Sequence, residues 1–452
     1  MRSRITLAGI LVVLTATLFA QETSSPQFGL ELSIGAQSFP NPAFTGDNDE
    51  PELITYQSVG LTPDLALGKF GIGLDLMLNY RFTAGGGNEF EIRPEDWIPG
   101  DDRTFLELYL PKLRYVRWGL KGDPLFVLLG AVDNGTLGNG FIMGGYQNTQ
   151  FIPTRRLFGM SLDVDGALFA FPYVGVETFA ANLAAFDLIG SRLFVRPLIG
   201  TGIPVVRNLQ IGGTGVADRD PFYFVDADGP GSTDADTVIV WGTDFRLPIL
   251  SNPVVSVSTF GDYVMQRGNS GGMLGFGGRF FGILTYGAQL RMLGENFIPV
   301  YFDRAYDLFR VDKYAVYTGA NAQPIDPYVG WFATAGFSLL NDQLVFAANI
   351  AGPFGGIDPD NKYQQPDLLA TFLLDEGILG GFSIEGSYRK IGIERIADLI
   401  NPEDAVIGAR VNYRIQNATI SLVYDLKHDP SPLPGQDPWT ITSKIESKIT
   451  LF

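Results

Sequence analysis

Between Ala405 and Lys427 apolar and polar residues alternate almost without a break. Ile407, Ala409, Val411, Tyr413 and Ile415 alternate with Gly408, Arg410, Asn412 and Arg414. After Gln416-Asn417 the pattern resumes, with Ala418, Ile420, Leu422, Tyr424 and Leu426 set against Thr419, Ser421, Asp425 and Lys427; only Val423 is out of type. Side chains alternate faces along a strand, so these residues predict a hairpin with one apolar and one polar side. Each arm is about ten residues, the length with which a tilted strand crosses a bilayer. Phe70 to Phe82 repeats the pattern, with Ile72, Leu74, Leu76, Leu78 and Tyr80 on one face and Gly73, Asp75, Asn79 and Arg81 on the other. Lys should therefore be costly at Leu76 or Leu422 and tolerated at Asn79 or Ser421.

Connections alternate between tight turns and long polar stretches. Leu67-Gly68-Lys69, Ser251-Asn252-Pro253, Asn341-Asp342 and Asp375-Glu376-Gly377 read as short turns. Residues 40–53, 217–236 and 294–327 read as long loops, the last holding an aromatic and acidic cluster from Tyr301 to Tyr317. After the polar stretch ending at Arg103 a long strand carries Glu107, Lys112, Arg114 and Arg117. Tyr173 to Thr178 reads as a strand, and Phe179 to Phe186 as a short helix in a loop. The pattern predicts an all-β chain forming a single transmembrane antiparallel β-barrel. The strand count is about 20, in a range of about 16–20, with short periplasmic turns and long external loops.

One segment fits neither strand nor solvated loop. Asn134 to Gln150, NGTLGNGFIMGGYQNTQ, is rich in glycine yet carries Leu137, Phe141, Ile142, Met143 and Tyr146. Glycines permit backbone shapes that other side chains forbid, and the apolar residues need burial. The segment is expected to fold back into the lumen, with Gly138, Gly140, Phe141 and Tyr146 as the plug.

Arg2 and Arg4, the apolar run Ile5 to Phe19, and Ala20 before Gln21 predict a signal peptide over 1–20 and a barrel over 21–452. The chain has no cysteine, which excludes disulfides, thiolate metal sites and cysteine nucleophiles. Its one histidine, His428, excludes histidine-clustered metal centres. No metal or other cofactor is expected. A net charge of −17 argues against nucleic acid, whose phosphates need a basic surface. The carboxylates at Asp226, Asp228, Asp234 and Asp236 lack the ligand run and closing Glu of a calcium loop, so they read as a solvated acidic loop.

With its leader, alternating strands, turn and loop asymmetry and terminal Phe452, the chain resembles bacterial outer-membrane β-barrel proteins, porin-like in form. Phe452 departs from their usual pattern, because it shares parity with Lys444 and Lys448 while Ile441, Ile445, Ile449 and Leu451 form the apolar face. The resemblance implies residence in the bacterial outer membrane, contact with its lipid, and handling by its assembly machinery through the C-terminal strand. It also implies a channel for small solutes. The candidate pore-lining residues are Asp75, Arg81, Arg114, Asp163, Arg246, Arg279, Arg291, Glu385, Arg389, Arg410, Arg414 and Asp425. The bland alternative for each is a cross-strand ion pair in the wall. A surface adhesion barrel is the second functional reading. A barrel hydrolase using His428 is the third, disfavoured because no suitable serine stands nearby, so no enzymatic activity is expected.

Overall fold

Alternation of this kind needs a partner strand on each side, because a backbone in hydrocarbon has no water to bond. The computed structural model describes residues 27–40, 53–85, 87–100, 104–151, 155–224, 236–321, 324–355, 364–401, 405–428 and 439–450. The predicted signal peptide, most of the acidic loop 217–236 and the terminal Phe452 lie outside them. The described strands form one antiparallel sheet of 22 segments. In chain order these are β1 (Gln27–Pro40), β2 (Leu53–Leu67), β3 (Phe70–Leu74), β4 (Leu76–Gly85), β5 (Gly87–Ile92), β6 (Leu113–Trp118), β7 (Leu125–Gly130), β8 (Gly159–Asp165), β9 (Val174–Ala180), β10 (Leu188–Val195) and β11 (Gln210–Asp218). They continue as β12 (Val238–Ser251), β13 (Val255–Gln266), β14 (Asn269–Phe280), β15 (Leu284–Leu293), β16 (Tyr328–Leu339), β17 (Leu344–Pro353), β18 (Asp367–Leu379), β19 (Phe382–Lys390), β20 (Ala405–Ile415), β21 (Ala418–His428) and β22 (Trp439–Thr450). Two short helices interrupt them, α1 (Phe105–Tyr109) and α2 (Arg310–Thr318). No helix among the described residues is long and apolar enough to cross a membrane.

The chain divides into two compact units. A central unit takes Val116–Phe337 and Asn349–Pro366; a terminal unit takes Thr23–Tyr115, Ser338–Ala348 and Asp367–Phe452. In the central unit β7 through β16 pair in sequence order, each antiparallel to the next. In the terminal unit β18, β19, β20, β21 and β22 pair in order, and β22 then pairs with β1, Glu446 opposite Gly35 and Thr450 opposite Glu31. From β1 the order runs on through β2, β4 and β5. The last strand thus covers the first, and neither is left as an open edge.

Burial follows the sequence alternation. Along β12, Val238, Val240, Gly242 and Asp244 are buried while Ile239, Trp241 and Thr243 are exposed. Along β14 and β15, Leu274, Phe276, Leu290 and Met292 are exposed, and Met273, Gln289 and Arg291 are buried. This inverts a water-soluble sheet. Apolar side chains repeated on the exposed face of successive strands exceed what a surface in water tolerates, and they identify a membrane-spanning sheet.

Several expectations change. The predicted strand 70–82 is broken at Asp75, whose N–H bonds to the Lys112 carbonyl at 2.8 Å, so β3 and β4 are two halves. The residues around Glu107 form α1 rather than a strand. Thr104 caps it, accepting from the Glu107 N–H while Glu107 accepts from the Thr104 N–H, and this capping box outweighs the alternation. Residues 179–186 are not a helix, since Phe179 and Ala180 end β9 and pair with Gly190 and Ile189. Asp375, Glu376 and Gly377 lie within β18 at a register shift, and the turn falls instead at Gly380-Gly381, where both φ angles are positive. Asn79 and Ser421 are buried rather than solvated, and Asn79 bonds both Ser58 and Asp96. Lys is therefore no longer expected to be tolerated at either position.

Leu422 is 48% exposed on the apolar face. In water a Lys there would be nearly neutral. In lipid, Leu422→Lys should cost about 2–4 kcal/mol near the midplane, measured by denaturant titration in bilayers. A cost near zero would put this face in water.

Candidate functional site

In the central unit the buried face carries a belt of charge across five strands. Asp163 on β8 lies opposite Glu177 on β9, and Glu177 lies opposite Arg192 on β10. Two carboxylates facing each other repel. Lys121 offsets this with its Nζ 2.8 Å from Asp163, and the Arg192 Nη1 donates to Glu177 at 3.2 Å. Arg192 is almost wholly buried and also clamps Asp244 of β12 through two bonds, from Nε at 2.9 Å and from Nη2 at 2.6 Å. Arg192 and Asp244 are two strands apart. The strand between them offers Gly212, where a Cβ would lie 2.7 Å from both the Arg192 Nε and an Asp244 carboxylate oxygen. The glycine is what lets the pair meet.

The Asn134 to Gln150 segment sits on this belt. It is a small hairpin of its own, Gly135 and Tyr146 exchanging backbone bonds of 2.8 and 3.0 Å. At its tip Gly138 takes a φ of +58°, and a Cβ there would press on Arg192 at 3.0 Å. The Gly138 N–H donates to Glu177 at 3.0 Å, and its carbonyl accepts from the Arg246 Nη2 at 2.7 Å. Asn139 accepts from the Arg246 Nε at 3.0 Å and donates to Asp262 at 2.9 Å and to the Phe245 carbonyl at 3.0 Å. Gly140, also at positive φ, closes the turn through its N–H to the Leu137 carbonyl at 3.0 Å. Behind the tip Leu137, Phe141, Ile142, Met143 and Tyr146 are all buried.

Their cover is the stretch 294–327, which the sequence predicted as an external loop. Val300 and Phe302 donate to the Phe141 and Ile142 carbonyls at 2.9 and 3.1 Å, and Gly144 donates back to Phe302 at 3.2 Å. Phe141 stacks on Phe297 with centroids 5.9 Å apart, and Tyr301, Phe302 and Tyr306 have no exposed surface. Wall residues Val216, Val240, Phe260, Val264 and Met273 complete this apolar core. Arg310 of α2 anchors it to the wall. It donates to Asp187 at 2.8 Å and bonds both carboxylate oxygens of Asp218, which also accepts the Tyr306 hydroxyl at 2.5 Å. Tyr146 donates to Asp307 at 2.8 Å. Burial raises Asp187, and it lifts Asp307 to about 7, against the opposing pull of Arg310. Burial works against the charge of Arg310, but Asp218 more than compensates and holds it charged.

The other predicted lining residues are placed as follows. Arg291 is buried beside Gln289, its guanidinium 4.5 Å from the Phe332 ring. Arg279 is exposed at the end of β14, at the turn, and does not join the belt. In the terminal unit Arg81 pairs with Glu91, Arg114 with Asp64, and Arg414 with Glu376 near a turn. Glu385 lies opposite Arg410 in register, and Arg389 is half-buried on the same strand as Glu385. Asp75 stands at the β3/β4 break. The side chain of Asp425 lies outside the described residues. The sequence reading missed Glu177, Arg192, Asp262, Asp187, Asp218 and Arg310. Glu177 lies in the stretch 173–178 read as a strand and Arg192 beyond the helix expected over 179–186, and reading that helix hid the pairing of β9 with β10 that sets the two opposite each other. Asp262 alternates with Phe260 and Val264, which occupy the same buried face, so no polar stripe marks it.

No protein-family description and no curated protein matches the chain. Among solved structures the chain is similar to Pseudomonas aeruginosa OccK3 (OpdO), at 11% identity over 94% of this chain and 96% of that one, with a TM-score of 0.37. It is similar to a BenF-like porin of Pseudomonas fluorescens Pf-5 at 8% identity, covering 94% and 98%, with a TM-score of 0.33. It is also similar to Wzi, an outer-membrane, carbohydrate-binding β-barrel involved in capsule assembly in Escherichia coli, at 10% identity, 93% and 84% coverage and a TM-score of 0.32.

Removing one partner of a buried ion pair leaves the other charge uncompensated. Asp244→Ala should therefore destabilise the protein by about 3–5 kcal/mol in urea unfolding. A loss below about 1 kcal/mol would show that Arg192 reaches water or is satisfied by Glu177 alone.

Proposed function

We propose that the protein is a bacterial outer-membrane channel that passes small solutes through a barrel constricted from within. In this reading residues 1–20 direct export, the apolar face meets lipid, and the buried face lines the lumen. The two segments 134–150 and 294–327 form a plug seated on the charged belt. The observation that carries it is the tip at Gly138 and Asn139, which bonds Glu177, Arg246 and Asp262 on three different strands. A lumen-facing wall that used its charges only for cross-strand pairing would have no reason to hold a separate segment at that level. Carboxylates and guanidiniums alternating around a narrow passage set the field that a solute crosses.

Two bilayer recordings test this. The parent protein, refolded and inserted, should show small discrete conductance steps. A variant with Gly135–Tyr146 replaced by a short Gly-Ser linker should assemble and conduct several-fold more. Absence of conductance in both would end the channel reading, and equal conductance would end the plug.

A further inference from the structure

Arg310 is where the plug meets the wall, and the charges there do not balance. Three carboxylates surround one guanidinium: Asp187 from the β9–β10 connection, Asp218 from the end of β11, and Asp307 from the turn before α2. All four side chains are at most 2% exposed. Asp218 takes two guanidinium bonds and the Tyr306 hydroxyl, and Asp187 takes one guanidinium bond. Asp307 is the residue left over. Its nearest cation atom, the Arg310 Nη1, is 3.9 Å away, the Tyr146 hydroxyl serves its Oδ2, and its Oδ1 is buried with no hydrogen-bond partner. An ionised carboxylate so placed is uncompensated, whereas a protonated one carries no charge.

We propose that this junction is a pH-sensitive latch on the plug, tight in acid and loosened toward neutral pH as Asp307 gives up its proton. The inference rests on the channel reading above. Among the described residues, the groups acting on Asp307 are Tyr146 of the 134–150 segment, Arg310 of α2, and Asp187 and Asp218 of the wall, with Tyr306 beside it. The next cation on α2, Lys313, is held by Asp303 at 2.9 Å and by the Tyr301 carbonyl at 2.7 Å. The sign follows from linkage. Seated, Asp307 titrates near 7; released into water it titrates as an ordinary carboxylate, about 3.9. Protons therefore favour the seated plug. Seating weakens as pH rises between those two values and changes no further above the higher one. Val300 and Phe302, which carry the backbone bonds to Phe141 and Ile142, precede Asp307 in the same stretch, so releasing that stretch from the wall also loosens this cover.

Two readouts on the full-length protein test the latch. One is single-channel conductance at about pH 5 and about pH 8, on either side of the value near 7 at which seated Asp307 titrates. The other is the mobility of a spin label at an Ala320→Cys site just beyond α2, in a chain with no cysteine of its own. The parent should conduct several-fold more, and its label should become more mobile, at the higher pH. Asp307→Asn should keep low conductance and an immobile label at both, the immobile label also confirming that the variant has folded and seated its plug. A parent whose conductance and label mobility are both flat across this range overturns the latch, and so does an Asp307→Asn protein that responds like the parent. Label mobility that responds to pH in a protein that never conducts would leave the latch standing and remove the channel.

Discussion

Charge within these strands has only one side to go to. The exposed face, with Ile239, Trp241, Leu274, Phe276, Leu290 and Met292, faces lipid, where a charged side chain is costly. Charges are thereby driven to the buried face, where water is scarce and each must find a partner or cost several kcal/mol. The belt from Asp163 to Asp262 follows from that restriction. Arg192 is satisfied from two strands at once, and Gly212 exists between them as the absence of a side chain. The inserted tip then uses backbone groups and one amide to occupy the positions the wall leaves open. Gly138 and Asn139 do for Glu177, Arg246 and Asp262 what water would do in a wider passage.

The same restriction joins the two inserted segments to each other. Neither 134–150 nor 294–327 has apolar residues enough for a core, yet together with the wall they bury Phe141, Met143, Tyr146, Phe297, Tyr301, Phe302 and Tyr306. The wall holds them through apolar contact with Val216, Val240, Phe260, Val264 and Met273 and through polar ties at the tip, at Arg310, between Gln266 and Ile298 and between Tyr317 and Ile239. Among these ties the Arg310 junction is the one whose balance of charge a single proton on Asp307 changes.

The sequence showed the outer half of this design better than the inner half. The hairpin 405–427 and the strand from Phe70 were legible because one face is apolar and the other polar, and the structure finds them within three residues, apart from the break at Asp75. In β11 to β14 the buried face itself carries Val216, Val240, Phe260, Val264 and Met273 to receive the inserted segments. Both faces there read as apolar, the period-two signal fades, and Asp262 passes unnoticed. The glycine and apolar mixture of 134–150 marked it as needing burial. Nothing local marked 294–327 as its partner, since that pairing depends on contacts about 160 residues apart in sequence, such as Tyr146 with Asp307. Arg310 was missed for the same reason.

Period-two lipid exposure around a filled interior is the central claim, and the cysteine-free chain allows one direct measurement of it. Spin labels placed singly at 239, 240 and 241 can be read for collision with oxygen, which concentrates in lipid, and with a water-soluble nickel complex. Labels at 239 and 241 should collide with oxygen, and a label at 240 should meet neither reagent, because the inserted segments cover that face. Strong nickel collision at 240 would mean an open, water-filled interior. Nickel rather than oxygen at 239 and 241 would mean that the apolar face is not in a membrane at all.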